Sequence, residues 1–181
     1  MLRSFIFHLR YFYHKKLRQT HRISHKTLEF VCLLIGATFV ALFSFGFAKL
    51  ADIGLEFNAY WSAKYPLTVW IVLPLGLAFL TWFTAKYTPY VGGSGIPQVI
   101  ASINLPYNGY KTKLVKFSQT IWKIPFTFFA MVIGASVGRE GPSVQVGAAV
   151  MLAWGNFCRK YHFAFRGLST NELIATGAAG G

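Results

Sequence analysis

At 181 residues the chain is long enough for one soluble domain, but it is 54% hydrophobic, 18% aromatic and only 13% charged, against roughly 25% charged in ordinary soluble domains. Too few charged side chains remain to cover a water-facing surface, so the composition points to an integral membrane protein. The net charge of +13 would alone suggest nucleic acid, but the cations gather in an N-terminal arm and in loops between apolar runs. That is the distribution of the positive-inside rule, and it excludes a nucleic-acid binder.

Residues 1–27 form a basic, aromatic arm. Leu2, Phe5, Ile6, Leu9, Phe12 and Tyr13 recur at helical spacing, with Arg3, Arg10, His14 and Arg18 largely elsewhere. The pattern suits a helix on an anionic membrane surface, the alternative being a disordered basic tail. Of the five histidines, His8, His14, His21 and His25 lie in this arm without carboxylate or cysteine partners, and His162 stands apart. No metal site is expected from them. Cys32 and Cys158 sit in apolar runs and read as small buried hydrophobes, not as a disulfide or metal pair.

Residues 28–181 read as a polytopic helical domain. Phe30–Ala48 carries no charge and is long enough to cross a bilayer core of about 30 Å as a helix. Lys49–Tyr65, with Lys49, Asp52, Glu56 and Lys64, reads as a short loop, and Pro66–Ala85 as a returning span. With the basic arm cytoplasmic, the first span runs outward and the second inward. Tyr87–Tyr110 is uncharged but broken by Pro89, Gly92, Gly93, Gly95, Pro97, Pro106 and Gly109. Irregular backbone at membrane depth is tolerated where protein buries it or where it lines a cavity, so a loop followed by a short re-entrant helix is expected. Lys111–Lys116 then forms a cytoplasmic loop. Phe117–Val137 reads as a further span, with Lys123 extending toward the interface. Ser143–Cys158 is an apolar helix running inward, closed by Arg159, Lys160 and Arg166. The chain stops in the small-residue run TGAAGG, which reads as a fragment of a longer protein.

Two places share one design. Gly93-Ser94-Gly95-Ile96-Pro97 precedes the run Gln98–Leu105, and Gly138-Arg139-Glu140-Gly141-Pro142 precedes Ser143–Cys158. Glycines permit a tight turn, and proline suits the first turn of a helix, where its missing N–H costs nothing. Each is therefore expected to start a helix inside the membrane region, with free N–H groups and the positive end of a dipole. Two such ends suggest a site made from broken helices. Structural kinks, or close packing at Gly134-Ala135-Ser136 and Gly147-Ala148-Ala149, are the alternative. A Walker-type phosphate loop is excluded, because its Lys-Ser/Thr ending is absent. Between Phe57 and Thr170 the one acid is Glu140, and an ionisable group at membrane depth is a functional candidate by default.

GSGIP at 93–97 and GREGP at 138–142, the latter extended to GREGPSVQVGA, resemble the two N-terminal signature motifs of the CLC chloride channels and chloride/proton antiporters. ATGAAGG at 175–181 resembles the segment that follows in that family. The resemblance covers roughly Phe30–Gly181 and implies an all-α, inverted-repeat membrane fold, represented by its N-terminal repeat, with spanning and re-entrant broken helices. It implies no enzyme activity and no cofactor beyond bound chloride. Ser94 would donate its hydroxyl to the ion, and backbone amides of Gly95, Ile96, Glu140 and Gly141 would line its path. Glu140 would be the gate and, in an antiporter, the proton carrier; Arg139 would raise the local anion concentration or simply face the outer vestibule and hold the loop. Expected partners are chloride, protons, membrane lipids and a second copy of the full-length protein. The expected location is the plasma (inner) membrane, N-terminus in the cytoplasm. Channel and antiporter stay open, and the 181 residues alone are not expected to transport. Gln98, Val99 and Ile100 depart from the family, which often places acids there. The competing readings are a membrane-anchored structural or assembly protein and a CLC-derived fragment that no longer transports.

Overall fold

The computed structural model describes the backbone of residues 2–106, 108–161 and 168–181; side chains are described from residue 26 onward, except at 107, 108, 110, 111 and 162–167. The side-chain pattern of the arm, its four histidines, His162 and Arg166 lie outside the described residues. Among those described, the chain is helical and forms α1 (Leu2–Lys64), α2 (Pro66–Tyr87), α3 (Ile96–Asn104), α4 (Asn108–Leu114), α5 (Phe117–Thr120), α6 (Lys123–Val132), α7 (Glu140–Lys160) and α8 (Thr170–Gly180).

The expected loop at Lys49–Tyr65 is not a loop. The arm and the first span belong to one helix, α1, which continues to Lys64. Its charged residues cannot end it because they lack breaking chemistry, and its packing holds it. Ala51 is fully buried, Gly54 lies against Phe128, and the Asn58 side-chain amide donates to the Val132 carbonyl at 3.1 Å. The stop comes at Tyr65, which precedes a proline and is thereby biased away from helical geometry. Pro66 opens α2 at its first position. Lys26–Lys64 and Pro66–Tyr87 are both long and apolar enough to cross a membrane. No residue of α2 is buried; Leu67 and Trp70 are 80% and 82% exposed, as suits a lipid-facing surface.

Phe117–Val137 is likewise not one span. Pro125 has no N–H for the Ile121 carbonyl, which takes the Ile124 N–H instead, and the helix breaks between α5 and α6. The C-terminal end of α6 is a Schellman cap. Gly134 turns at φ 91°, its N–H bonds the Met131 carbonyl, and the Ala135 N–H bonds that of Ala130. Gly134 thus caps a helix, and it is also a close-packing glycine, since a Cβ there would lie 2.9 Å from Asn58 Nδ2 of α1. Lys123 does not extend toward an interface either: it is buried, at 3% exposure.

Helix α7 is the centre of the fold, packed by α1, α3, α5, α6 and α8. One cluster joins Cys32 and Val40 of α1, Val146, Val150, Met151 and Cys158 of α7, and Leu173 of α8. A second joins Val99, Val115, Ala148, Leu152 and Ile174. Both cysteines are buried, as expected. Where lipid tails are as apolar as the side chains, close packing replaces hydrophobic drive, and α7 meets this with small residues. A Cβ on Gly147 would run into the Gly177 carbonyl, and one on Gly155 into Leu173. The TGAAGG ending belongs to α8 as far as Gly180, with Gly181 as the C-cap. A capping box starts that helix: Ser169 Oγ accepts from the Glu172 N–H at 3.2 Å and Glu172 accepts from the Ser169 N–H at 2.5 Å. This Ser-x-x-Glu signal went unread in the sequence.

Candidate functional site

The two motif turns meet. The loop before α3 folds back through Gly93 and Gly95, at φ 77° and 101°, where only glycine is free of strain. Gly95 caps α3 and Pro97 lies in its first turn. Arg139 caps α7, whose first three residues are Glu140, Gly141 and Pro142. A Cβ on Gly141 would lie 2.5 Å from the Ser94 carbonyl oxygen, and one on Gly95 would lie 2.9 Å from the Gly141 oxygen. The glycines are therefore what allows the N-termini of α3 and α7 to touch backbone to backbone.

Each end presents free donors. The first intrahelical bonds are Val99 N–H to Gly95 and Ser143 N–H to Arg139, both at 3.1 Å. The N–H groups of Ile96 and Gln98 on α3, and of Glu140 and Gly141 on α7, thus have no acceptor within their own helices. Both proline rings occupy positions whose N–H would also have been left over. Two positive helix ends converge at this point, an arrangement suited to an anion.

Of the residues singled out in the sequence, Ser94, Gly95 and Gly141 are brought into contact. Glu140 follows as the first residue of α7. The Ser94, Ile96, Arg139 and Glu140 side chains are exposed, while Gly95 and Gly141 are buried. Arg139 is not directed at Glu140: its guanidinium donates to the Asp52 carboxylate on α1 at 2.7 Å. Gln98, one of the neutral positions after GSGIP, has a local task, since its amide donates to the Gly92 carbonyl at 2.5 Å and closes the turn.

A buried polar network beneath the turns went unread in the sequence. The Lys123 ammonium donates to Gln145 Oε1 at 2.7 Å and to the Val91 carbonyl at 3.0 Å. The Gln145 amide nitrogen donates to the Leu114 carbonyl at 3.0 Å and to that of Tyr90 at 3.4 Å. A buried cation needs such partners to offset its lost hydration. One lysine and one glutamine thereby tie the loop before α3 to α4, α6 and α7. The available signal was Gln145 itself, a polar residue amid GPSVQVGAAV.

The sequence profile described as voltage gated chloride channel matches residues 76–181, from the middle of α2 through both turns to the end of α8. The chain belongs to the voltage-gated chloride channel (CLC) family. A CLC relative, the H(+)/Cl(−) exchange transporter ClcA of Citrobacter koseri, is 33% identical over 129 residues, which is 66% of this chain and 24% of that protein. The chain thus spans about a quarter of that CLC transporter's length. No solved structure matches. Membership of the CLC family, the all-α architecture and the two apolar helices together make this an integral membrane protein.

Proposed function

We propose that the chain forms part of a chloride pathway in a membrane transporter, not an enzyme, with the anion held where α3 and α7 meet. The Ser94 hydroxyl and the backbone N–H groups of Gly95, Ile96, Glu140 and Gly141 bind the ion. The Glu140 carboxylate competes for the same place, leaving when it is protonated or displaced, so that it acts as the gate. An ionised carboxylate at a helix N-terminus has the same electrostatic stabilisation as a bound chloride. The observation that carries this reading is the backbone contact of Ser94 with Gly141, which puts two donor-bearing helix ends beside one acid.

The similarity to the H(+)/Cl(−) exchange transporter of Citrobacter koseri favours chloride/proton exchange over a channel, with Glu140 also carrying the proton. The pathway is completed by protein outside these residues, in a homodimer within the plasma (inner) membrane, N-terminus in the cytoplasm. The test is the reversal potential of the natural full-length protein under a pH gradient. An exchanger's potential moves with the proton gradient, and Glu140→Gln removes that movement. A potential that follows chloride alone in the wild type rejects exchange in favour of a channel.

A further inference from the structure

Helices α1 and α7 run antiparallel in a continuous register. Cys32 and Cys158 share one cluster, Gly36 sits against Met151 and Trp154, Val40 packs with Val146 and Val150, and Asp52 meets Arg139. The Trp154 indole N–H donates to the Cys32 carbonyl at 2.8 Å and fixes the crossing. Asp52 is held from both sides, with Ala51 fully buried before it and Gly54 packed on Phe128 after it. The backbone on either side of Asp52 is thus held by packing, while its half-exposed carboxylate reaches Arg139.

Resting on the reading of the α3–α7 junction as an anion site, we propose that Asp52 is a positioning residue for that site: it holds Arg139 and offsets its charge, and so sets how strongly the site draws anions. Arg139 is the cap residue of α7, next in sequence to Glu140. Unpaired, its guanidinium adds a full positive charge to the converging helix ends. Paired at 2.7 Å, the two charges form a dipole whose field falls off faster than that of a lone cation. Both side chains are about half exposed, at 50% and 51%, so the effect is screened by salt. Its size is that of an exposed charge, about a two- to fivefold change in anion affinity. The sign sets this role apart from a merely structural one: removing Asp52 tightens anion binding.

The test measures chloride binding by calorimetry on the purified full-length protein at low ionic strength. The Glu140→Gln background is used because there no carboxylate competes with chloride and Arg139 acts on the ion alone. Adding Asp52→Asn should tighten chloride binding about two- to fivefold. The gain should shrink in high concentrations of an impermeant salt and vanish when Arg139→Gln is added. Asp52→Glu should restore the starting affinity. Glu56→Gln, the same charge change one helical turn away, should give a smaller gain. Weaker or unchanged binding in Asp52→Asn, a gain that survives Arg139→Gln, or an equal gain from Glu56→Gln overturns the inference. Failure of the underlying reading shows separately, as Glu140→Gln binding chloride no differently from wild type.

Discussion

The Lys123 ammonium lies 2.7 Å from Gln145 Oε1, with both side chains buried beneath the two motif turns. Lys123 sits at the start of α6 and Gln145 in the second turn of α7. This bond links the helix that ends before GREGP to the helix that begins with it. Leaving a buried donor or acceptor unpaired costs about 1–3 kcal/mol, more if the group is charged. Gln145→Leu, which takes the nearer of two acceptors from the Lys123 ammonium and leaves it the Val91 carbonyl, is therefore expected to destabilise the protein by about 1–3 kcal/mol. The double variant Lys123→Met/Gln145→Leu should cost less than the sum of its two single changes. Thermal unfolding in detergent measures both.

Three glycines in and near the motifs separate close approach from incidental composition. A Cβ on Gly141 would meet backbone at 2.5 Å, whereas around Gly138 there is nothing within 4 Å. Gly141→Ala must push the two helix ends apart. It is expected to lower chloride flux at least about tenfold, since an active geometry is sensitive to displacements near 1 Å. Gly95→Ala should act similarly, adding strain at φ 101°. Gly138→Ala should leave flux within about twofold of wild type, as open surface sites usually do. Liposome flux of the natural full-length protein compares them, and a defect at Gly138 equal to that at Gly141 would reject the contact argument.

Helix α8 should carry an acid-sensitive start. The Ser169 backbone and side chain hold the Glu172 carboxyl below its usual 4.5. A carboxylate whose pKa is lower folded than unfolded stabilises fully above the unfolded value, and the stabilisation is lost as pH falls through the folded value. Protection of the α8 amides in hydrogen exchange is therefore expected to decline on that acid limb. Glu172→Gln should flatten the decline, as should Ser169→Ala, whose lost cap also lowers stability by about 1 kcal/mol at neutral pH.

Much of the architecture is written in local signals. The uncharged run from Pro66 fixes α2, and the proline in GREGP with the apolar run behind it fixes α7, because length and first-turn proline act within the segment itself. The capping box at Ser169 and Glu172 is equally local. Charge misleads at Lys49–Lys64, since charged residues are compatible with helix and only packing against α6 and α7 decides. Pro125 and Gly134 are visible in the sequence, but the break and cap they produce depend on which carbonyls they leave free. In the site, GSGIP and GREGP were legible as helix starts. Their mutual contact was not, nor was the reach of Arg139 to Asp52, 87 positions away, because nothing local encodes which turns abut. Lys123 was misread because a lysine stem can extend or fold inward, and the choice lies with Gln145.

The most direct test of the anion site is chloride flux through the natural full-length protein in liposomes as external pH is varied, comparing wild type with Glu140→Ala. If the Glu140 carboxylate competes for the ion at the α3–α7 junction, its removal alters flux and abolishes the dependence on external pH. Flux in Glu140→Ala that tracks wild type at every pH would contradict the assignment of Glu140 as the gate.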